Sequence, residues 1–515
     1  MQLNTSTTDI ADQEVDTIIL NLFENTKSPQ DATASTDQRL EGTISTLLTG
    51  GDFKGKLRET SVLYPGNALP AQRIIIVGLG PREDFTLDCA RHAAAAAAIR
   101  AQELGARSIA SVVHGTGVGK MEIGAAARAT AEGTLLGLYS FQKYKSEAQN
   151  TKVSSFSLVE SNEQQAEALS VGAHEGNIIA DCVCQARNLV NEPPNTCTPS
   201  FLASYAKKLA ADHNMTTRIL SESDARELNM GAFLSVGQGS AQQSQLIILE
   251  HNRGLLADTN PLVLVGKAIT FDTGGYSMKS VQGMEDMKTD MAGGAAVLSA
   301  MQAAARLQVP YPVVGLVPAS ENMIGSQASR PSDVVRAANG KTIEIVNTDA
   351  EGRLILADAL VYAARYNPTA LIDIATLTGA AVIALGEGSA AALFTDDEIL
   401  AQHLSLASQS SGERIWRMPL YPEYGKLMRG SDVADLRNSP NKRYAGIGTS
   451  AAFLQEFTGG FRWAHLDIAA MANQPASKVI QTLGPAGASG FGVRLLSYMM
   501  LDDDYASWQS SASGN

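Results

Sequence analysis

Two short segments concentrate the charge that could do chemistry. Asn347-Thr-Asp-Ala-Glu-Gly-Arg-Leu354 carries Asp349, Glu351 and Arg353, and an upstream segment carries Lys267, Asp272, Lys279 and Asp290. Four carboxylates and three cations thus stand beside apolar runs rich in glycine and alanine. Charge next to buried-looking sequence is costly unless it is neutralised or holds a metal. Ionised, the four carboxylates balance two divalent cations. Oxygen donors with one nitrogen suit Zn²⁺, Mn²⁺, Co²⁺ or Mg²⁺, and the sequence does not choose among them. A lysine joins such a set only as the neutral amine, so a nearby dication has to drive off its proton.

Each residue also has a purely structural reading. Thr348-x-x-Glu351 has the form of a capping box, and acids suit any helix N-terminus. Asp290 precedes an alanine-rich run and could be an N-cap. Lys267 could snorkel from the end of a strand, and Asp272-Thr-Gly-Gly275 could be only a turn. In an extended backbone Asp349 and Glu351 would face the same side. Arg353 argues against simple capping, because a cation at a helix N-terminus opposes the macrodipole unless the two hold an anion together.

The elements that must position these residues alternate. Thr17–Phe23, Arg73–Gly80, Ser108–Val113 and Ser154–Val159 are expected as strands, with an alanine-rich helix between His92 and Leu104. The polar stretch Glu160–Gln165 is the expected domain boundary. Further strands are expected at Ser244–Glu250, Pro261–Gly266, Val313–Val317 and Ala370–Ala375, with helices at Met291–Leu307 and Arg353–Tyr366. This alternation predicts an α/β sheet with helices on both faces, whose ligand site lies at the carboxyl ends of strands. Both charged segments fall there.

At 515 residues the chain calls for two domains. A formal charge of −13 speaks against broad binding to nucleic acid or anionic membrane. The first residues lack the basic flank and apolar core of a signal peptide, and no apolar run reaches membrane-span length. Only four cysteines occur, Cys89, Cys182, Cys184 and Cys197, which fits free thiols in a reducing, cytoplasmic setting.

Val265-Gly-Lys-Ala-Ile-Thr-Phe-Asp-Thr-Gly-Gly275, Met287-Lys-Thr-Asp-Met291 and Asn347–Leu354 closely resemble the leucyl aminopeptidase family of two-metal cytosolic aminopeptidases. Similar segments run from Ala186-Arg-Asn-Leu-Val-Asn-Glu-Pro193 to Gly487-Ala-Ser-Gly-Phe-Gly492, among them Ala375–Gly379, Asp432–Asn438 and Trp463–Ala469. The first domain resembles the family only loosely. The resemblance implies a smaller N-terminal α/β, macro-like domain (1–165) for assembly or regulation. It also implies a larger α/β catalytic domain (166–515), a central mixed sheet flanked by helices. Lys267, Asp272, Asp290 and Glu351 would hold a tighter metal, and Asp272, Asp349 and Glu351 a more exchangeable one. Manganese or zinc would be the favoured metals, with cobalt or magnesium as alternatives. A hydroxide bridging the metals would attack the scissile carbonyl. Lys279 would stabilise the oxyanion, and Arg353 would hold a bicarbonate-like anion as proton shuttle. Met287, Thr376, Leu377 and Gly379 would line a pocket for leucine-like side chains.

By the same resemblance, peptides with a free N-terminus would be the substrates, the chain would form a homohexamer, and His465 would be structural. Ala268, Ala470 and Tyr276 depart from the common family residues without removing a charged group. A dipeptidase such as a cysteinylglycine hydrolase, or a DNA-binding regulatory scaffold, is the alternative function on this fold. A substrate panel and retention on a heparin column separate these.

Overall fold

A computed structural model describes residues 1–147, 153–253, 259–440, 444–477 and 480–502. The chain divides into two compact units, Met1–Cys184 with Ala476–Ala486, and Gln185–Pro475 with Gly487–Asn515. The helix Ala166–Asn191 spans the division. The division falls between Cys184 and Gln185, within this helix, whereas the boundary expected from the sequence lies at residue 165.

In the first unit, six strands order as Gln2–Ser6, Ser155–Val159, Ser108–Val112, Thr17–Leu22, Arg73–Gly78 and Thr60–Leu63. All neighbours pair in parallel except Thr60–Leu63, which runs antiparallel at one edge. The alanine-rich helix is Leu87–Glu103, and its small side chains let a second helix, Ile123–Gly137, approach closely. A Cβ on Gly133 would lie 2.2 Å from the Arg91 carbonyl oxygen, so only glycine fits this crossing. The alanines are core residues, buried with Ile19, Ile75, Ile109 and Phe156.

The second unit is built on a mixed sheet. Its four central strands, Trp463–Asp467, Ala370–Ala375, Leu262–Gly266 and Val313–Asn322, lie side by side in parallel. Antiparallel neighbours flank them, Gln245–His251 on one side and Ala391–Phe394 on the other, within a sheet of nine strands. Strand Leu262–Gly266 is buried along its whole length, as the apolar run requires when both faces are covered. Helix Ala292–Arg306 packs against this central region, and helix Gly352–Ala363 joins Val263, Val265 and Leu316 in one apolar cluster. The register brings Gly266 beside Ile374 and Ala375 beside Asp467, so the residues that follow emerge at one edge. Among the described residues no helix is long and apolar enough to cross a membrane.

Candidate active site

The parallel strands end where the charge begins. Lys267 follows the strand Leu262–Gly266, and Asp272 closes the next strand, Ala268–Asp272, which pairs with Val313–Asn322. Asp290 lies in the 3-10 turn Met287–Met291, and Glu351 immediately precedes the helix Gly352–Ala363. Glycine makes this convergence sterically feasible. A Cβ on Gly352 would stand 2.6 Å from Cε of Lys267. Gly274, at φ +83°, turns the chain so tightly that a Cβ there would lie 2.8 Å from the Asp349 carboxylate.

The inner part of the cluster is buried. Lys267 Nζ stands 2.8 Å from Asp290 Oδ1 and 2.9 Å from Glu351 Oε1. It also donates to the Thr376 carbonyl at 2.9 Å. The outer part is more open. Lys279 Nζ reaches Asp272 Oδ2 at 2.8 Å and Asp349 Oδ1 at 2.6 Å. The snorkelling expectation for Lys267 fails, because the residue is only 2% exposed.

The capping readings fail as well. Glu351 occupies the N-cap position without a side-chain capping bond, and helix Ala292–Arg306 is preceded by Met291 rather than Asp290. Thr348 Oγ1 instead accepts from the Ser277 amide at 2.8 Å and donates to the Gly274 carbonyl at 2.6 Å. The backbone around Asp349 is a turn rather than extended. The Asp349 amide bonds Asn347 Oδ1 at 2.9 Å, and the Ala350 amide bonds the Asn347 carbonyl at 3.2 Å.

Electrostatics follow from burial and crowding. Burial pushes the Asp290 carboxyl well above its usual range, with the Glu351 and Asp272 charges adding to the rise, although Lys267 opposes it. Burial and Glu351 push Asp272 up to about 6. Glu351 is held below the ordinary range: burial alone would raise it, but Lys267 and Lys279 outweigh that. Burial lowers Lys267, yet the carboxylates around it raise it further, so it stays an ammonium in their field alone. Four carboxylates face two ammonium groups here, leaving negative charge in excess.

Asp290 Oδ2 is buried without a hydrogen-bond partner. One oxygen each of Asp272, Asp290 and Glu351 lie within 4.8 Å of one another. An oxygen-rich donor set with surplus charge and an orphaned carboxylate oxygen fits divalent cations.

Arg353 lies in the first turn of its helix, buried, and donates to the Asn438 carbonyl at 2.7 Å, while its Nε lacks a partner. Burial lowers its guanidinium to about 10. Met287 is half-buried in the turn that carries Asp290. Thr376 Oγ1 donates to Asp290 Oδ1 at 2.7 Å. The Leu377 amide donates to Asp467 at 3.1 Å, and Gly379 opens the next helix, exposed. His465 is fully buried and bonded through Nδ1 to Asp373 at 2.5 Å, and it is not among the three residues whose oxygens cluster.

Two uncharged residues were missed. Asn322 donates to Asp272 Oδ1 at 2.8 Å and to the Thr348 carbonyl at 3.1 Å. Asn438 accepts from the Val346 amide at 2.8 Å and donates to the Asn347 carbonyl at 2.7 Å, clamping the turn that presents Asp349. The signal for Asn438 was its place in the segment Asp432–Asn438. Asn322 had none.

Buried carboxylates and lysines at the carboxyl edge of a parallel-centred sheet define a metallohydrolase. The catalytic-domain profile of the cytosol aminopeptidase family matches residues 184–497, and the family's N-terminal-domain profile matches residues 19–148. The chain belongs to the cytosol aminopeptidase family and is a metal-dependent aminopeptidase. It is 42% identical over 470 residues to a "Probable cytosol aminopeptidase" of Roseiflexus castenholzii, covering 90% of this chain and 94% of that protein. A protein of the same name from Geotalea uraniireducens is 43% identical over 466 residues, covering 89% and 91%. Among solved structures, a tomato leucine aminopeptidase variant superposes with a TM-score of 0.85 at 32% identity, covering 98% of this chain and 97% of that one. The bottromycin maturation enzyme BotP in complex with Mn superposes with a TM-score of 0.81 at 33% identity, covering 94% and 99%.

Proposed function

We propose that the protein is a dinuclear leucyl aminopeptidase that removes leucine-like residues from the free N-terminus of peptides. Lys267, Asp272, Asp290 and Glu351 would hold the inner metal, and Asp272, Asp349 and Glu351 the outer one. Manganese or zinc is the proposed occupant, with cobalt or magnesium as alternatives. The carrying observation is the surplus of carboxylate over ammonium around Lys267 and Lys279, together with the unpartnered Asp290 Oδ2. When bound, the metals would acidify a water to a hydroxide nucleophile near neutral pH.

The side chains do the rest. Lys279, at the open side of the cluster, stabilises the negative charge that develops on the scissile carbonyl oxygen. Arg353 presents an unpartnered Nε at a helix N-terminus, an arrangement suited to a bicarbonate-like anion that moves a proton. Met287, Thr376, Leu377 and Gly379 line the pocket for the first side chain. The N-terminal region, 1–165, serves assembly of a cytoplasmic homohexamer.

Hydrolysis of leucine-p-nitroanilide tests this before and after chelation, with each metal restored in turn. Activity lost on chelation and regained with manganese or zinc is expected. A folded, metal-loaded protein inert on this substrate would overturn the leucyl assignment. Light scattering checks the hexamer.

A further inference from the structure

Asp467 closes the strand Trp463–Asp467 with its carboxylate fully buried. A carboxylate out of water demands strong donors, and it finds them in the loop after Ala375, its neighbour in register. Oδ1 accepts from the Leu377 amide at 3.1 Å and the Ala469 amide at 3.2 Å. Oδ2 accepts from Thr378 Oγ1 at 2.6 Å. The other end of this loop touches the proposed metal ligands directly. Thr376 Oγ1 donates to Asp290 Oδ1 at 2.7 Å, and the Thr376 carbonyl accepts from Lys267 Nζ at 2.9 Å.

Beneath the loop, Asp373 ties the same two strands together. It accepts from Trp463 Nε1 at 2.7 Å and bonds His465 Nδ1 at 2.5 Å. The two strands are therefore tied together two residues before Asp467 by bonds in which its carboxylate takes no part.

We infer that Asp467 is a positioning residue for the metal centre: it anchors Leu377 and Thr378 so that Thr376 holds Asp290 and Lys267 in place. The inference rests on the assignment of Asp290 and Lys267 as metal ligands. Three loop donors, the Leu377 and Thr378 amides and the Thr378 hydroxyl, converge with the Ala469 amide on two carboxylate oxygens. An asparagine offers one acceptor oxygen and turns an NH₂ toward a donor. Residues that orient metal ligands typically shift metal affinity or activity about 10–100-fold when changed.

The experiment is titration of Zn²⁺ into the metal-stripped full-length protein against a chromophoric chelator. Asp467→Asn is expected to raise the Zn²⁺ Kd about 10–100-fold. Thr378→Val, which removes only the hydroxyl donor, is expected to raise it in the same direction by less. Trp463→Phe cuts the bond to Asp373 and should lower Tm while leaving Kd unchanged. If Asp467→Asn does not fold, Thr378→Val decides by itself. A lowered Tm with unchanged Kd in both loop variants would overturn the inference and leave the metal assignment standing. Failure of the wild-type protein to take up Zn²⁺ would overturn the metal assignment, and the inference with it.

Discussion

The inner and outer halves of the charged cluster use the same chemistry, a lysine between two carboxylates, in different surroundings. Around Lys267, the side chains of the lysine, Asp290 and Glu351 are 3%, 7% and 4% exposed. Around Lys279, the lysine is 18% and Asp349 32% exposed, while Asp272 is buried at 2%. Asp272 thus belongs to the inner wall and reaches outward. The difference teaches that burial sorts otherwise similar residues into a closed part and an open part; on the proposed assignment the closed part would hold its metal and the open part would exchange it and meet substrate. Charge kept from water interacts strongly and relaxes little, whereas half-exposed charge is screened and mobile.

The severest break of this comparison is Glu351→Ala. It removes an inner ligand that the proposal also assigns to the outer metal, and it leaves Lys267 with Asp290 alone. Losing one partner of a buried pair costs about 3–5 kcal/mol. Metal content and hydrolysis should vanish together, with a lowered Tm; retention of both metals in this variant would refute its shared role.

Lys279→Ala attacks the outer half without removing a metal ligand. Turnover should fall about 10²–10³-fold, the usual effect of removing one oxyanion donor, with metal content unchanged. Parallel loss of metal would show that Lys279 does not act on the substrate oxyanion alone.

Asp349→Ala sharpens the contrast, because only the exchangeable metal should leave. Elemental analysis after dialysis should find about half the wild-type metal, by the two-site arithmetic of a shared dinuclear centre. Complete loss would mean that the halves are not separable.

The smallest effect is graded with pH. Asp272 is raised to about 6, and a carboxylate ligates only when deprotonated. Protons on Lys267 and Asp290, both raised, already compete with metal at neutral pH, and below about 6 protonation of Asp272 should steepen the fall in affinity by about a further tenfold per pH unit. Chelator competition from pH 7.5 downward reads this steepening, and a slope unchanged through pH 6 would remove Asp272 from the ligand set.

Much of this was legible in the residues themselves. The charged segments stood out because lysine and aspartate beside apolar strands carry a desolvation cost, and the sheet rule placed them at strand ends. The strands around residues 17, 73, 262 and 370 followed from apolar runs that need cover on both faces. Asn322 stayed hidden because an amide beside a strand end carries no charge and no periodic signal, and it orients Asp272 from 50 residues away. Thr348 and Glu351 are ambiguous in the opposite direction, since their spacing also fits a capping box. The Ser277 amide and the Gly274 carbonyl, both brought against Thr348 Oγ1, show what that hydroxyl bonds instead.

By itself, the sequence determined the residue types, the glycines that let chains approach, and the alternation that brings Lys267 and Asp272 to strand ends and Asp290 and Glu351 to the turns before helices. The tertiary structure alone decided which carboxylate meets which lysine and which half lies deeper. Local pattern acts over a few residues of backbone. Lys267 and Thr376 meet because strand register sets Gly266 beside Ile374, and Asp290 and Glu351 reach Lys267 from a turn and a helix start packed at the same edge, arrangements that belong to the folded sheet and its helices.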